Sequence, residues 1–424
     1  MPLAARPASI AAALLVLAAP AFAADFYVDA VNGSDATGTG TSAQPWKTIT
    51  HALAQLPGGH TENVRVAPGV HDAALGELFP LTLEAGVNLL GAGIGLTIVD
   101  AGTSSGIRVD SDPTGTQRVR GLTLRNGSQG VSSGLGYGFA GSKSYAIADC
   151  AVENTSGAAL SIGSGLNSGA YLTATRVRIS GCGTGLSVGA GGFGSSASAA
   201  LDDCTIEACS TGISLFASQA HQGAGFVSAH AGLVRTRIAG CAVGIACAGY
   251  SDGNDGSGFS TVSLRDSLVA QCGTGLSAQG DNDVWIARST VAGNTIGMHK
   301  QSVLPAYTSL ALDSALLWGN QSEDFFASPS PYTAQHSNAP GNLLAGSGNL
   351  SLDPQYVDPA NGDFRLLPSS PLIDRGDPTD AKSGTDLDLD PRVLDGDLDL
   401  VARTDIGFDE WNPVHLAASG TPTP

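Results

Sequence analysis

The sequence predicts a right-handed parallel β-helix, an all-β solenoid with an N-terminal capping helix and an irregular acidic C-terminal cap. Three observations predict it. Short strand-like runs alternate with glycine corners, the corners recur at a near-constant spacing, and no coil carries helical apolar spacing over about ten residues.

The corners read Cys182-Gly-Thr-Gly185-Leu186, Cys209-Ser-Thr-Gly212-Ile213, Cys241-Ala-Val-Gly244-Ile245, Cys272-Gly-Thr-Gly275-Leu276 and Asn294-Thr-Ile-Gly297-Met298. Weaker copies end in Gly106-Ile107, Gly130-Val131 and Gly157-Ala158. The glycines fall 24, 27, 28, 27, 32, 31 and 22 residues apart, a repeat that absorbs insertions between units. A strand-like run such as Leu264-Arg-Asp-Ser-Leu268-Val-Ala precedes each corner, and an apolar-small-apolar strand such as Ile213-Ser-Leu215 follows it. Strands this short must pair with their copies in the neighbouring coils, at about 4.8 Å per coil.

Composition agrees. With 57 Gly, 6% aromatic and 14% charged residues, the 424-residue chain is made of turns and small side chains. A chain of this length would otherwise suggest two or three domains, but a solenoid core grows along its axis. Cys182, Cys209, Cys241 and Cys272 share one position in four successive coils, with Asn294 continuing the stack. An inward ladder of reduced thiols is expected, since in-register side chains point alike and not at each other. No C-x-x-C pair is present, so zinc and redox motifs lose their usual spacing.

The ends need closing. Pro45 to Leu53 reads as an amphipathic helix with Trp46, Ile49 and Leu53 on one face and Pro45 in its first turn. It is expected to plug the front of the core. After about residue 320 the repeat stops, and residues 351–424 hold fifteen Asp/Glu against five Lys/Arg. This acidic segment is expected to cover the last coils. The boundaries are a leader over 1–23, the N-terminal cap and first coils over 24–110, core coils over 111–320, C-terminal coils and cap over 321–412, and a tail over 413–424.

Residues 1–23 read as a secretory leader, with Arg6, an apolar run from Ile10 to Ala19, and the small-x-small step Ala21-Phe22-Ala23. Crossing a bilayer takes about 20 apolar residues, so no transmembrane segment is expected, and the mature chain belongs outside the cytoplasm. A formal charge of −18 argues against nucleic acid as a partner. It also argues against polyanionic sugars, unless a cation bridges the two.

Two sets of segments carry a family resemblance. Phe26-Tyr-Val-Asp29-Ala-Val-Asn32-Gly-Ser-Asp35, Trp46-Lys-Thr-Ile49, Val64-Arg-Val66-Ala-Pro-Gly69 and Val87-Asn-Leu-Leu-Gly91 resemble the opening of secreted bacterial β-helix proteins of the pectate-lyase-like superfamily. His71 stands where those proteins usually have Tyr. Ala315-Leu-Leu-Trp318-Gly-Asn320, the run from Asp353 to Leu366, Ser370-Pro-Leu-Ile373-Asp-Arg-Gly376 and Asp405-Ile-Gly407 resemble the choice-of-anchor Q family. The resemblance covers about half the chain and implies a β-helix in an extracellular setting, with no single activity attached.

Carbohydrate enzymes on this fold are lyases, which need a charge neutraliser such as calcium and a base, or hydrolases, which need paired carboxylates. The strand after each corner points Ser187, Ser214, Ala246, Ser277 and His299 outward, a face with little chemistry until its last member. The Gly/Ser-rich stretches 132–143, 163–170, 189–197, 217–231, 248–260 and 279–283 are expected to stack as a wall of loops. Phe193, His221 and Tyr250 are its candidate substrate contacts, and Asp252, Asp255, Asp281 and Asp283 are the candidate ligands of a Ca2+ ion. His299 or Lys300 would be the base. Against this stands the plainer reading that Asp, Asn and Gly are what turns require, which also covers Asp29, Asn32 and Asp35. Asp386-Leu-Asp388-Leu-Asp390 and Asp395-Gly-Asp397-Leu-Asp399 suggest calcium as well, but Pro391 breaks the EF-hand pattern. With no acid, base and cation set along the rungs, the expectation is an exported, non-catalytic β-helix binding polysaccharide or cell-surface glycan through its loops. The alternative is an extracellular polysaccharide lyase or glycoside hydrolase.

Overall fold

A computed structural model describes residues 23–413 apart from 57–60, 111–116, 135–140, 219–224, 251–255, 302–308, 329–330, 343 and 380–383. The leader and tail, and with them His221, Asp252 and Asp255, lie outside the described residues. The described chain winds as a right-handed parallel β-helix. Its strands stack into three parallel sheets of thirteen, ten and ten strands, here sheets 1, 2 and 3. One coil runs Ser168–Thr175 in sheet 1, Arg178–Ser180 in sheet 2 and Thr184–Gly191 in sheet 3. The next coil repeats the order beside it.

Inward residues form columns along the axis. Leu186, Ile213, Ile245, Leu276 and Met298 pair in register through five coils of sheet 3, and each is fully buried. Burial of such side chains contributes about 1.5–3 kcal/mol each, and the columns supply it repeatedly. The repeating glycine has a steric cause. A Cβ on Gly185, Gly212 or Gly244 would sit 2.5 Å from the carbonyl oxygen of the corresponding glycine in the next coil. All seven cysteines are buried and free, with Cys182, Cys209, Cys241 and Cys272 at the corner before sheet 3.

The corner between sheets 1 and 2 is a single residue in the left-handed region. Asp149, Arg176, Asp203, Arg235, Asp266, Arg288 and Ser314 occupy it in successive coils, with φ between 43° and 54°. Acid and base alternate along this column, and each arginine binds the aspartate one coil before it.

At the front, the helix α1 covers Ile49–Gln55, shorter than the sequence predicts. Thr48 is its N-cap and accepts from the His51 amide at 3.0 Å, which sets the start at Ile49, four residues after Pro45. Glu77 completes the cap from another part of the chain, accepting from the amides of Ile49 at 2.7 Å and Thr50 at 2.8 Å. Trp46 stays outside the helix and stacks on Phe26 with ring centroids 5.6 Å apart. Asp29 and Asp35 are turn residues, accepting from the amides of Val31 and Asn32 and of Lys47 and Thr48.

Much of the expected wall of loops is strand. Sheet 1 strands begin at Gly225 and Gly256, and Phe226, His230 and Phe259 belong to them. Longer pairing between successive coils satisfies backbone groups that loops would leave to water. At the back, the acidic segment lies on the outer face of sheet 2. Phe364 and Phe408 pack on Leu268, Ala270 and Ala292, while Leu366, Leu372, Ile373 and Ile406 pack on Leu316. Arg392 of this cap inserts between coil and cap, donating to Asp266 Oδ1 at 2.9 Å and to the carbonyls of Arg288, Gly407 and Phe408.

Candidate functional site

Alternation in the strand Ile296–Gln301 separates the two expected bases. Met298 and Lys300 point into the coil and His299 points out. Lys300 is fully buried, and its Nζ donates to the backbone oxygen of Asn282 at 2.8 Å and to the Asn282 side chain. Burial lowers its pKa to about 8. A polymer in solvent cannot reach that amine, so the surface base of the sequence reading is not Lys300. His299 stays half-exposed, with Nδ1 3.1 Å from Glu323 Oε2 and its ring stacked on Phe326 at 4.6 Å.

The expected calcium ligands divide likewise. Asp281 is buried, whereas Asp283 faces outward and accepts from the amide of Ser309 at 2.8 Å and from its hydroxyl. In the cap, Asp374, Asp395 and Asp397 bring ligand oxygens within 4.8 Å of one another. Asp374 already accepts there from the amides of Asp397 and Arg403. The adjacent pair Asp202-Asp203 is taken up by Arg235. Phe193 and Tyr250 are both exposed at the edge where sheet 3 passes to sheet 1, two coils apart.

The outer face of sheet 1 carries a feature the sequence reading passed over. In register, Tyr171, Ser198, His230, Thr261, Asp283 and Ser309 form one outward row. Thr173, Ala200, Gly232, Ser263, Trp285 and Ala311 form the next. Tyr171 is 49% exposed and Trp285 is 57% exposed, with Ser198, His230 and Thr261 in one row and Ala200, Gly232 and Ser263 in the other between them. Four strand steps separate the two rings, roughly 19 Å along the axis. His230 stands between them, and burial lowers its pKa, so a neutral imidazole is presented near pH 7. A cavity of about 400 Å³ lies beside Tyr171, and one of about 750 Å³ lies beside Trp285. The available signal was the alternation of Asp283-Val-Trp285-Ile, which buries Val284 and Ile286 and leaves the indole outside.

Such a face can stack on the apolar sides of sugar rings and hydrogen-bond their hydroxyls.

Comparison with known proteins fits this architecture. A crystal structure of pectate lyase Pel9A has 13% identity and a TM-score of 0.55, covering 92% of this chain and 96% of that one. That likeness shows the fold. The XylC complex with xylose, at 10% identity and a TM-score of 0.42, covers 78% of this chain and 87% of its own. The GH136 lacto-N-biosidase from Eubacterium ramulus, at 9% identity and a TM-score of 0.43, covers 77% and 68% respectively. No curated protein matches the sequence. The family described as "Protein of unknown function (DUF1565)" matches over residues 31–308, and the chain belongs to it.

Proposed function

We propose that this DUF1565 member is an exported β-helix that binds an extended, neutral extracellular polysaccharide or cell-surface glycan on the outer face of sheet 1, without cleaving it. The exposed rings of Tyr171 and Trp285, in adjacent outward rows four strand steps apart, carry this reading. Both rings present a face that can stack on a sugar ring. The acidic surface, with a formal charge of −18, favours neutral chains over uronates. Export rests on the leader-like residues 1–23 and on the resemblance to secreted β-helix proteins.

A lyase or hydrolase is the second reading, and the His299–Glu323 pair favours it. A carboxylate on Nδ1 fixes the imidazole so that the other nitrogen can accept a proton.

The test uses purified residues 24–424 with neutral and uronate polysaccharides, in calcium or chelator, following binding, reducing ends and unsaturated-uronate absorbance together. Binding of a neutral polymer is expected, with a loss of about tenfold or more in the Tyr171→Ala/Trp285→Ala double variant and no new chain ends. Unchanged binding by that variant sinks the proposal. New chain ends that disappear in His299→Ala establish the second reading instead.

A further inference from the structure

The seam between the C-terminal cap and the coils holds a second groove, of about 680 Å³, apart from the sheet 1 face. That volume lies within the roughly 300–1,000 Å³ of small-molecule sites. Its walls come from both sides. The coils contribute Gln271, Trp318 and Gln321, and the cap contributes Asp353, Gln355 and Tyr356. The backbone makes room for it. Gly293 and Gly319 sit in the left-handed region with φ of 67° and 75°, a Cβ on Gly293 would lie 2.6 Å from the Phe364 ring, and Gly319 has open space beside it.

The chemistry of the walls is selective. Trp318 is half-buried and offers an indole to the apolar side of a sugar ring. Gln271 and Gln321 are exposed, so their amides can donate to and accept from vicinal hydroxyls. Gln355 accepts from Ser369 Oγ at 2.6 Å through Oε1, which fixes the amide and turns its donor end away from that bond. The Tyr356 hydroxyl is buried without a hydrogen-bond partner among the described residues. Among the described residues no lysine or arginine lines the groove, and Asp353 is its one charge. That set suits polyhydroxyl groups and repels anions.

We propose that this seam is a second saccharide site, taking a neutral mono- or disaccharide unit or chain end. The proposal does not rest on the sheet 1 face. It gives a role to Trp318, Asp353, Gln355 and Tyr356, which belong to the segments that resemble the choice-of-anchor Q family.

The test titrates residues 24–424 with cellobiose, xylobiose, mannobiose and lactose, and with digalacturonate as the anionic probe, by saturation-transfer NMR and calorimetry. At least one neutral disaccharide should bind saturably. The Gln271→Ala/Gln321→Ala double variant, which removes only exposed side chains, should weaken it about tenfold or more with an unchanged thermal melt. Tyr171→Ala/Trp285→Ala should leave this binding intact while weakening capture of polymer about tenfold or more, which separates the two sites. The inference is overturned if no neutral disaccharide binds at millimolar concentration, if binding survives the glutamine variant, or if digalacturonate binds best.

Discussion

The corner column between sheets 1 and 2 has an open half and a covered half, built on the same backbone and the same alternation of Asp and Arg. In the open half, Arg176 binds Asp149 at 2.6 Å with side chains 54% and 30% exposed. In the covered half, Arg288 binds Asp266 at 2.9 Å with side chains 8% and 6% exposed, and Arg392 of the cap joins the same carboxylate. The neighbouring strands of sheet 2 change in step. Arg178-Ile-Ser180 and Thr205-Ile-Glu207 show polar residues outward, whereas Leu268-Val-Ala270 and Thr290-Val-Ala292 are buried on both faces. Identical chemistry is therefore surface decoration in one half and an internal joint in the other. The cap decides which.

The largest break in that comparison comes from Arg392→Met. It leaves Asp266 and Glu410 without their shared buried cation, so a loss of about 3–5 kcal/mol is expected in denaturant melts. Leu372→Ala tests the apolar side of the joint. Its fully buried side chain packs with Ile373 and Ile406, and roughly 3 kcal/mol should be lost, read as earlier proteolysis of the cap.

The two halves should also answer pH in opposite directions. Hydrogen bonding to Arg176 holds the Asp149 carboxyl below its usual range, so its contribution is present above about pH 4 and fades on acidification. Burial pushes Asp409 in the cap up to about 7, and burial also raises Asp405 and Glu410. The folded cap thus holds more protons than the unfolded chain. Its stability is fully present below about pH 4 and is lost as pH rises through about 7. Amide exchange of residues 384–411 should quicken over that window, and Asp409→Asn should flatten the change. The smallest effect belongs to the open half. Arg176→Met should leave the denaturant midpoint almost unchanged, and a clear downward shift would show that exposure is not what separates the halves.

The coil was legible because its corner is steric. Gly185, Gly212 and Gly244 leave no room for a side chain, so the glycine recurs and the sequence displays it. The Asp/Arg column was hidden because partners 22 to 32 residues apart leave no local pattern, and each corner residue alone reads as a turn. Trp46 misled the helix boundary, since its apolar face belongs to the stack on Phe26 and not to a helical stripe. Lys300 reads as a surface base from sequence alone, because a lysine inside the coil breaks the rule that charge faces water. It is held there by Asn282. In the cap, the resembling segments pointed to residues that meet, but their convergence on sheet 2 needed the fold.

The alternating corner also bears on how such a protein can grow. Copying one coil into its neighbour would set aspartate beside aspartate, or arginine beside arginine, where in-register pairing makes like charges repel. Copying two coils together preserves the order from Asp149 to Arg288. The natural unit of duplication along this stretch is therefore a pair of coils, and its lengthening should obey an even parity.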